Sequence, residues 1–153
     1  GNSQTFYLKA PTNSAEDPKI FNGLGFPIVL LKAKMKDTEY GEVLDVDFNR
    51  LSELVFEALI RKPARFSGAE VKFIRHHMEL SQNVFADLLD IDRSSVGKWE
   101  AKDLKPTQMM PAVELSLRIQ MTQRLRHSVD KELPFIQPGI RKNDVGKPLK
   151  LAI

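Results

Sequence analysis

Apolar positions along this 153-residue chain change their spacing near residue 62, and the change divides it into two kinds of sequence. Residues 26–34, opening on the apolar run Phe26-Pro27-Ile28-Val29-Leu30-Leu31, have the pattern of a core strand. Residues 40–46 alternate less cleanly and are expected to pair with it as an antiparallel hairpin across residues 35–39. A further short strand is expected at residues 5–8, inside a polar arm over residues 1–19. Asp47 occupies the N-cap position of a helix expected to run to about Arg61, where Leu51, Leu54, Val55, Ala58 and Leu59 make one apolar stripe. Pro63 ends it, because a residue preceding proline is pushed out of helical geometry.

Residues 62–66 are expected to be a linker, and closely spaced helices follow. Ser67-Gly68-Ala69-Glu70 has the form of a capping box opening a helix that runs to about His77 or Met78. Ser81 caps a second helix over Gln82–Leu89 with Phe85, Leu88 and Leu89 inward. Asp90-Ile91 forms a turn, and Asp92 caps a third helix, Arg93–Glu100. Two eight-residue helices are not stable alone and must pack on each other. After a polar connection, Pro111 sits at the first position of a longer helix expected to reach Arg126 or His127. Two apolar stripes run along it: Val113, Leu117, Met121 and Leu125 on one side, Leu115 and Ile119 on another. The first stripe is assigned to a homodimer contact and the second to the core. Residues 128–153 show no periodicity and are expected to be an extended basic tail. The expected organisation is therefore an arm over 1–19, a small α+β module over 20–62, a helical domain over 63–127 and the tail.

The segment from Leu80 to Glu100 reads as a helix-turn-helix. Two short helices crossing steeply need a small residue at the crossing, where Ala86 stands. The turn needs a residue that tolerates positive φ, which Asp90 does less easily than glycine. Val96 and Trp99 pin the third helix, leaving Arg93, Ser94, Gly97 and Lys98 outward, the face offered to a DNA major groove. Ser81, Gln82, Ser95 and Lys102 flank that face and complete the candidate DNA-binding set. Arg93 can donate a bidentate pair to guanine, Lys98 can reach guanine or phosphate, and Ser94 reads either base type weakly.

This segment resembles the lambda/434 repressor-type helix-turn-helix family. By that resemblance Gln82 matches the glutamine that braces phosphate and base contacts, and Arg93, Ser94 and Lys98 match positions that touch base edges. Asp90 departs from the glycine usual in that turn, and Gly97 lowers the propensity of its helix. The resemblance extends outward: residues 59–75, the run Asn22-Gly23-Leu24-Gly25-Phe26-Pro27-Ile28-Val29-Leu30-Leu31 and Tyr40-Gly41-Glu42 are similar to the MqsA/YgiT-type antitoxins. It implies an α+β front module before an all-α, lambda-repressor-like domain. It also implies binding to the protein's own promoter as a dimer, and neutralisation of a toxin partner. Many members carry a zinc ribbon of paired Cys-x-x-Cys. This chain has no cysteine, and Tyr40 stands where one would precede Gly-Glu, so that zinc site is excluded and the front module rests on apolar packing.

Net charge is −3 over residues 1–60, +2 over 61–105 and +4 over 106–153, which points any polyanion to the second half. The absence of cysteine also excludes disulfides and cysteine nucleophiles. No apolar run reaches the roughly 20 residues of a membrane span, no signal-peptide pattern is present, and a cytoplasmic location is expected. His76 and His77 point about 100° apart on a helix, which suits a helix-end pair better than a metal site. Glu39, Glu42, Asp45 and Asp47 are explained by strand alternation and capping, so no enzyme activity, metal or cofactor is expected. The expected function is sequence-specific repression by a DNA-bound homodimer. The alternatives are a protein-interaction antitoxin whose main partner is a toxin, and an enzyme with an acidic site in residues 37–57.

Overall fold

A computed structural model describes residues 18–125 and 145–152. Among the described residues the chain is mixed α+β, with small strands at the front and five helices after them. It divides into two compact units, one made of residues up to Val55 together with those from Pro148 on, the other of Phe56–Lys147. The expected strand at residues 5–8 and the helix end at Arg126 or His127 lie outside the described residues.

In the first unit, β1 (Lys19–Phe21) pairs antiparallel with β2 (Ile28–Leu31), and Ile20 stands opposite Val29. Phe21, Ile28 and Leu30 are fully buried along one face. The hairpin differs from the expected one. β3 (Met35–Thr38) and β4 (Gly41–Leu44) pair with each other around Glu39-Tyr40, so the residues expected as the loop are mostly strand. Lys32, with a φ of 56°, breaks the chain direction straight after β2 and frees β3 to start a new pairing. At the turn, Thr38 Oγ1 donates to the Gly41 carbonyl at 2.8 Å, and Gly41 takes a φ of 101°. β2 finds its other neighbour in β5 (Leu149–Ala152), which runs parallel to it with Val29 opposite Lys150. The end of the expected basic tail is therefore a paired strand. Its leucines at every second position carry the strand period, but two residues are too few to register as a pattern.

The helix α1 (Phe48–Ile60) opens on Asp47, whose Oδ1 accepts from Asn49 N at 2.9 Å. The division between the units falls within α1, between Val55 and Phe56, not at residues 62/63. Residues 62–66 are likewise no free linker. Lys62 Nζ lies 2.6 Å from Glu70 Oε1 and donates to the Arg65 carbonyl. Arg65 Nε lies 2.6 Å from Glu114 Oε2, and its Nη2 donates to the Met109 carbonyl. Arg118 donates to the carbonyls of Ile60, Lys62 and Ala64, and its guanidinium lies 4.5 Å over the Phe66 ring. All five charged groups are buried. A charge out of water is tolerated only when paired and hydrogen-bonded; here every member has an opposite charge within 4 Å, while Arg65 Nε makes an ion pair without a well-formed hydrogen bond.

In the second unit, α2 (Gly68–His77) opens on the expected capping box: Glu70 N donates to Ser67 Oγ, and Ser67 N donates to Glu70 Oε1. α3 (Gln82–Leu89), α4 (Arg93–Glu100) and α5 (Pro111–Arg124) follow at the expected places, with Pro111 in the first turn of α5. Phe85, Ala86, Val96 and Leu117 are buried between them. Gly68 is required by close approach: a Cβ there would stand 2.2 Å from the Trp99 carbonyl oxygen.

Candidate nucleic-acid interface

The candidate surface is built by α3, its turn and α4. Ser81 caps α3 by accepting from Val84 N at 3.2 Å. Asp90 ends α3 in the left-handed region, at φ 54° and ψ 51°, and Ile91 N then bonds the Ala86 carbonyl at 3.0 Å. That reversal lets α4 start at Arg93, three residues later. Asp92 holds the N-cap position of α4, but its side chain makes no cap hydrogen bond. The Ser95 N–H is taken instead by the Asp92 carbonyl.

Successive residues of α4 turn by about 100°, which puts Val96 and Trp99 on one side and Arg93, Ser94, Gly97 and Lys98 on the other. Val96 and Trp99 are buried, Arg93, Ser94 and Lys98 are exposed, and Ser95 and Gly97 are half-buried. A Cβ at Gly97 would meet nothing within 4 Å, so space lies open in front of the helix at its middle. Ser81 and Lys102 are exposed at the two margins, and Gln82 is half-buried. All eight residues expected from sequence thus belong to the α3–α4 segment or border it. The exposed charges at the start of α4 are Asp90, Asp92 and Arg93, and those at or beyond its end are Lys98, Lys102, Asp103 and Lys105. The second end is the more positive of the two and the more attractive to a phosphate chain.

Sequence reasoning missed the pair that holds this surface in place. Arg75 on α2 makes a two-point contact with Glu100, Nε to Oε2 at 2.6 Å and Nη2 to Oε1 at 3.0 Å. Its Nη1 donates to the Leu80 carbonyl at 2.9 Å. Gln82 Nε2 donates to the same Glu100 Oε1 at 3.1 Å, so one carboxylate ties α2, α3 and α4 together. Gln82 keeps its own oxygen and one N–H for another partner. Burial works to raise the Glu100 carboxyl, but the hydrogen bonds from Arg75 and Gln82 outweigh it and hold the group below its ordinary value. The signal was present as a basic residue seven positions before Gln82 and an acid eighteen after it, but only the fold brings such distant positions together.

Two of the residues assigned to a subunit contact are corrected. Leu117 and Met121 have no exposed surface and belong to the core, and Val113 and Leu125 are half-buried. Glu114 and Arg118 turn toward the buried charges at residues 60–66, and this draws the Leu117–Met121 side of α5 inward with them. Leu115, expected inside, is 38% exposed.

The remaining candidates hold ordinary places. His77 stacks on Phe56 at 4.5 Å and on Phe73 at 5.7 Å, while His76 Nε2 lies 3.0 Å from Arg75 Nη2. Glu39, Glu42 and Asp45 are exposed near the β3–β4 hairpin, and Asp47 caps α1. Among the described residues, no group of three or more histidines and carboxylates is placed to hold a metal ion, and no helix is long and apolar enough to cross a membrane. No protein-family model, curated protein or solved structure matches the chain.

Proposed function

We propose that the chain is a non-enzymatic, sequence-specific DNA-binding protein, a cytoplasmic repressor in which α3 and α4 act as a lambda/434-type helix-turn-helix. The observation that carries this reading is the two-sidedness of α4. Val96 and Trp99 fix one side, and the other side presents two cations, a hydroxyl and a glycine gap to solvent. A helix so held enters a major groove without refolding, and the gap at Gly97 admits the base edges. Arg93 and Ser94 read bases, while Lys98, Lys102 and Lys105 supply phosphate contacts. Gln82, restrained by Glu100, aims its remaining acceptor and donor at the margin of the groove. One such helix reads too few base pairs against genomic competition, so the reading includes two copies on a two-fold symmetric operator. Autoregulation as an antitoxin, with a toxin as second partner, rests on the family resemblance alone.

Selection of bound sequences from a random DNA pool, at stated salt, tests the reading. A two-fold symmetric consensus with half-sites about one helical turn apart is expected. Enrichment of no sequence, or a consensus that Arg93→Ala and Lys98→Ala leave untouched, overturns it.

A further inference from the structure

The connection that follows α4 is held firmly. The N–H groups of Ala101, Lys102, Asp103 and Lys105 each bond a carbonyl three or four residues back. From the start of α2, Ala69 N donates to the Asp103 carbonyl at 2.7 Å and Gly68 N to the Lys105 carbonyl at 3.1 Å. The loop is packed so closely on Gly68 that a Cβ there would stand 2.8 Å from Asp103 N. Asp103 takes a φ of 54°, and the next residue, Leu104, is 46% exposed. Exposed Lys102 and Lys105 stand on either side of it in the chain. Among the described residues, Leu104 is the one large exposed apolar side chain bracketed by exposed lysines. A lone leucine at a surface is ordinary, but a leucine on a braced turn between two cations has a defined shape and a defined charge around it.

We propose that Leu104 is a wedge that bends the bound duplex. With the α4 face in a major groove, the loop crosses the sugar–phosphate chain at the groove's margin. Leu104 then meets a base step of the adjoining minor groove, partly unstacks it and bends the DNA toward the major groove. This inference deepens the DNA-binding reading and rests on it. Charge and size select the occupant. Lys102 and Lys105 each meet a phosphate on the strand that Leu104 passes. Asp103 between them leaves the loop, residues 102–105, a net charge of +1, far short of the cluster of basic residues that holds a chain to an anionic membrane. One leucine also offers little apolar area to a bilayer, whereas a gap between two stacked base pairs takes a single side chain. The bracing is what makes the leucine effective, because a tip tied to α2 and α4 by backbone hydrogen bonds cannot fold away when it meets the stack. The cost of opening a step depends on its sequence, and the pyrimidine–purine steps TA and CA/TG open most easily. The operator is therefore expected to prefer such a step outside the bases that α4 reads, at a position no side chain reads by hydrogen bonding.

The test uses the full chain on a duplex recovered from the random-pool selection, with a donor and an acceptor dye at its two ends and 2-aminopurine at the flanking step. Wild type is expected to shorten the distance between the dyes by a bend on the order of 20–90° and to brighten the 2-aminopurine as its step unstacks. Leu104→Ala should leave the duplex nearly straight and the 2-aminopurine dark. In a repeated selection it should lose the flanking preference and keep the half-site consensus. Leu104→Phe, another bulky apolar wedge, should keep the bend. Leu104→Gln replaces Leu104→Ala should that variant lose its circular dichroism. A straight wild-type complex overturns the proposal, and so does a Leu104→Ala complex bent as much as wild type. Binding of the wild-type chain to phosphatidylglycerol vesicles that Leu104→Ala abolishes gives the leucine to a membrane and overturns it too. Recovery of no DNA sequence at all overturns the DNA-binding reading together with the wedge, whereas a specific but straight complex overturns the wedge alone.

Discussion

Gly68 and Gly97 lie one at each end of the same argument about space. At Gly68 an added methyl meets the Trp99 carbonyl at 2.2 Å and the Asp103 nitrogen at 2.8 Å, both backbone atoms that cannot step aside. Gly68→Ala is therefore expected to cost at least about 2 kcal/mol in urea unfolding, within the range of overpacking. Gly97→Ala meets nothing and removes a mid-helix glycine, so it should raise stability by roughly 0.5–1 kcal/mol while weakening operator binding if base edges use that gap. Arg93→Ala should lose roughly 1–3 kcal/mol of operator binding and relax preference at one base position, read by competition against single-base variants. Acid should act on the fold through Glu100. Its carboxyl is held below the ordinary value of 4.5, so the contact with Arg75 and Gln82 contributes stability that is present above that pH. This stability is lost as pH falls through the lower folded value. Glu100→Gln should flatten the acid limb of a stability-against-pH curve, and an unchanged limb would show that other carboxylates set it. Lys62 has the same sign in alkali: burial lowers its amine below 10.5, so the fold gains stability as pH rises toward that value.

At the scale of elements, the helices were legible and the sheet pairing was not. Ser67 and Ser81 announced their helices through hydroxyls that accept a local N–H, an interaction complete within four residues. Strand pairing has no such local record. Residues 35–38 look like a polar loop because β3 is mostly exposed, and only the break at Lys32 and the turn at Gly41 reveal it as a strand. The α4 face was readable because Val96 and Trp99 stand three apart. The α5 faces were not, since both stripes are apolar and the choice between them was made by Glu114 and Arg118, charged residues that composition alone would place outside. The α3–α4 turn offers a prediction at this scale. Asp90 holds a φ of 54° where glycine has no steric penalty, so Asp90→Gly should stabilise the fold by about 1 kcal/mol. It should also tighten DNA binding by removing an anion beside the groove, and a thermal melt with a binding isotherm reads both effects.

For the whole molecule, salt dependence tests the proposed DNA interface. Three lysines per copy, Lys98, Lys102 and Lys105, give about six phosphate contacts in a dimer. Operator affinity should then fall on the order of 10³-fold between 50 and 200 mM salt. A slope near zero would remove those lysines from the interface. The division into two units was legible in outline from the change in spacing near residue 62. It was misplaced because Lys62 and Arg65, exposed in most sequences, are here among the most buried side chains. The return of residues 149–152 to the front sheet could not be read at all, since nothing local to Leu-Lys-Leu-Ala names its distant neighbour. That return has a consequence for how the protein comes into being. On a ribosome β2 emerges more than a hundred residues before β5, a delay on the order of ten seconds, and through that interval one edge of Ile28–Leu31 lacks its native neighbour. The helices have time to assemble first. The front sheet must wait for residues 149–152, with Ile-Val-Leu-Leu open meanwhile to chaperones or to mispairing with another nascent chain.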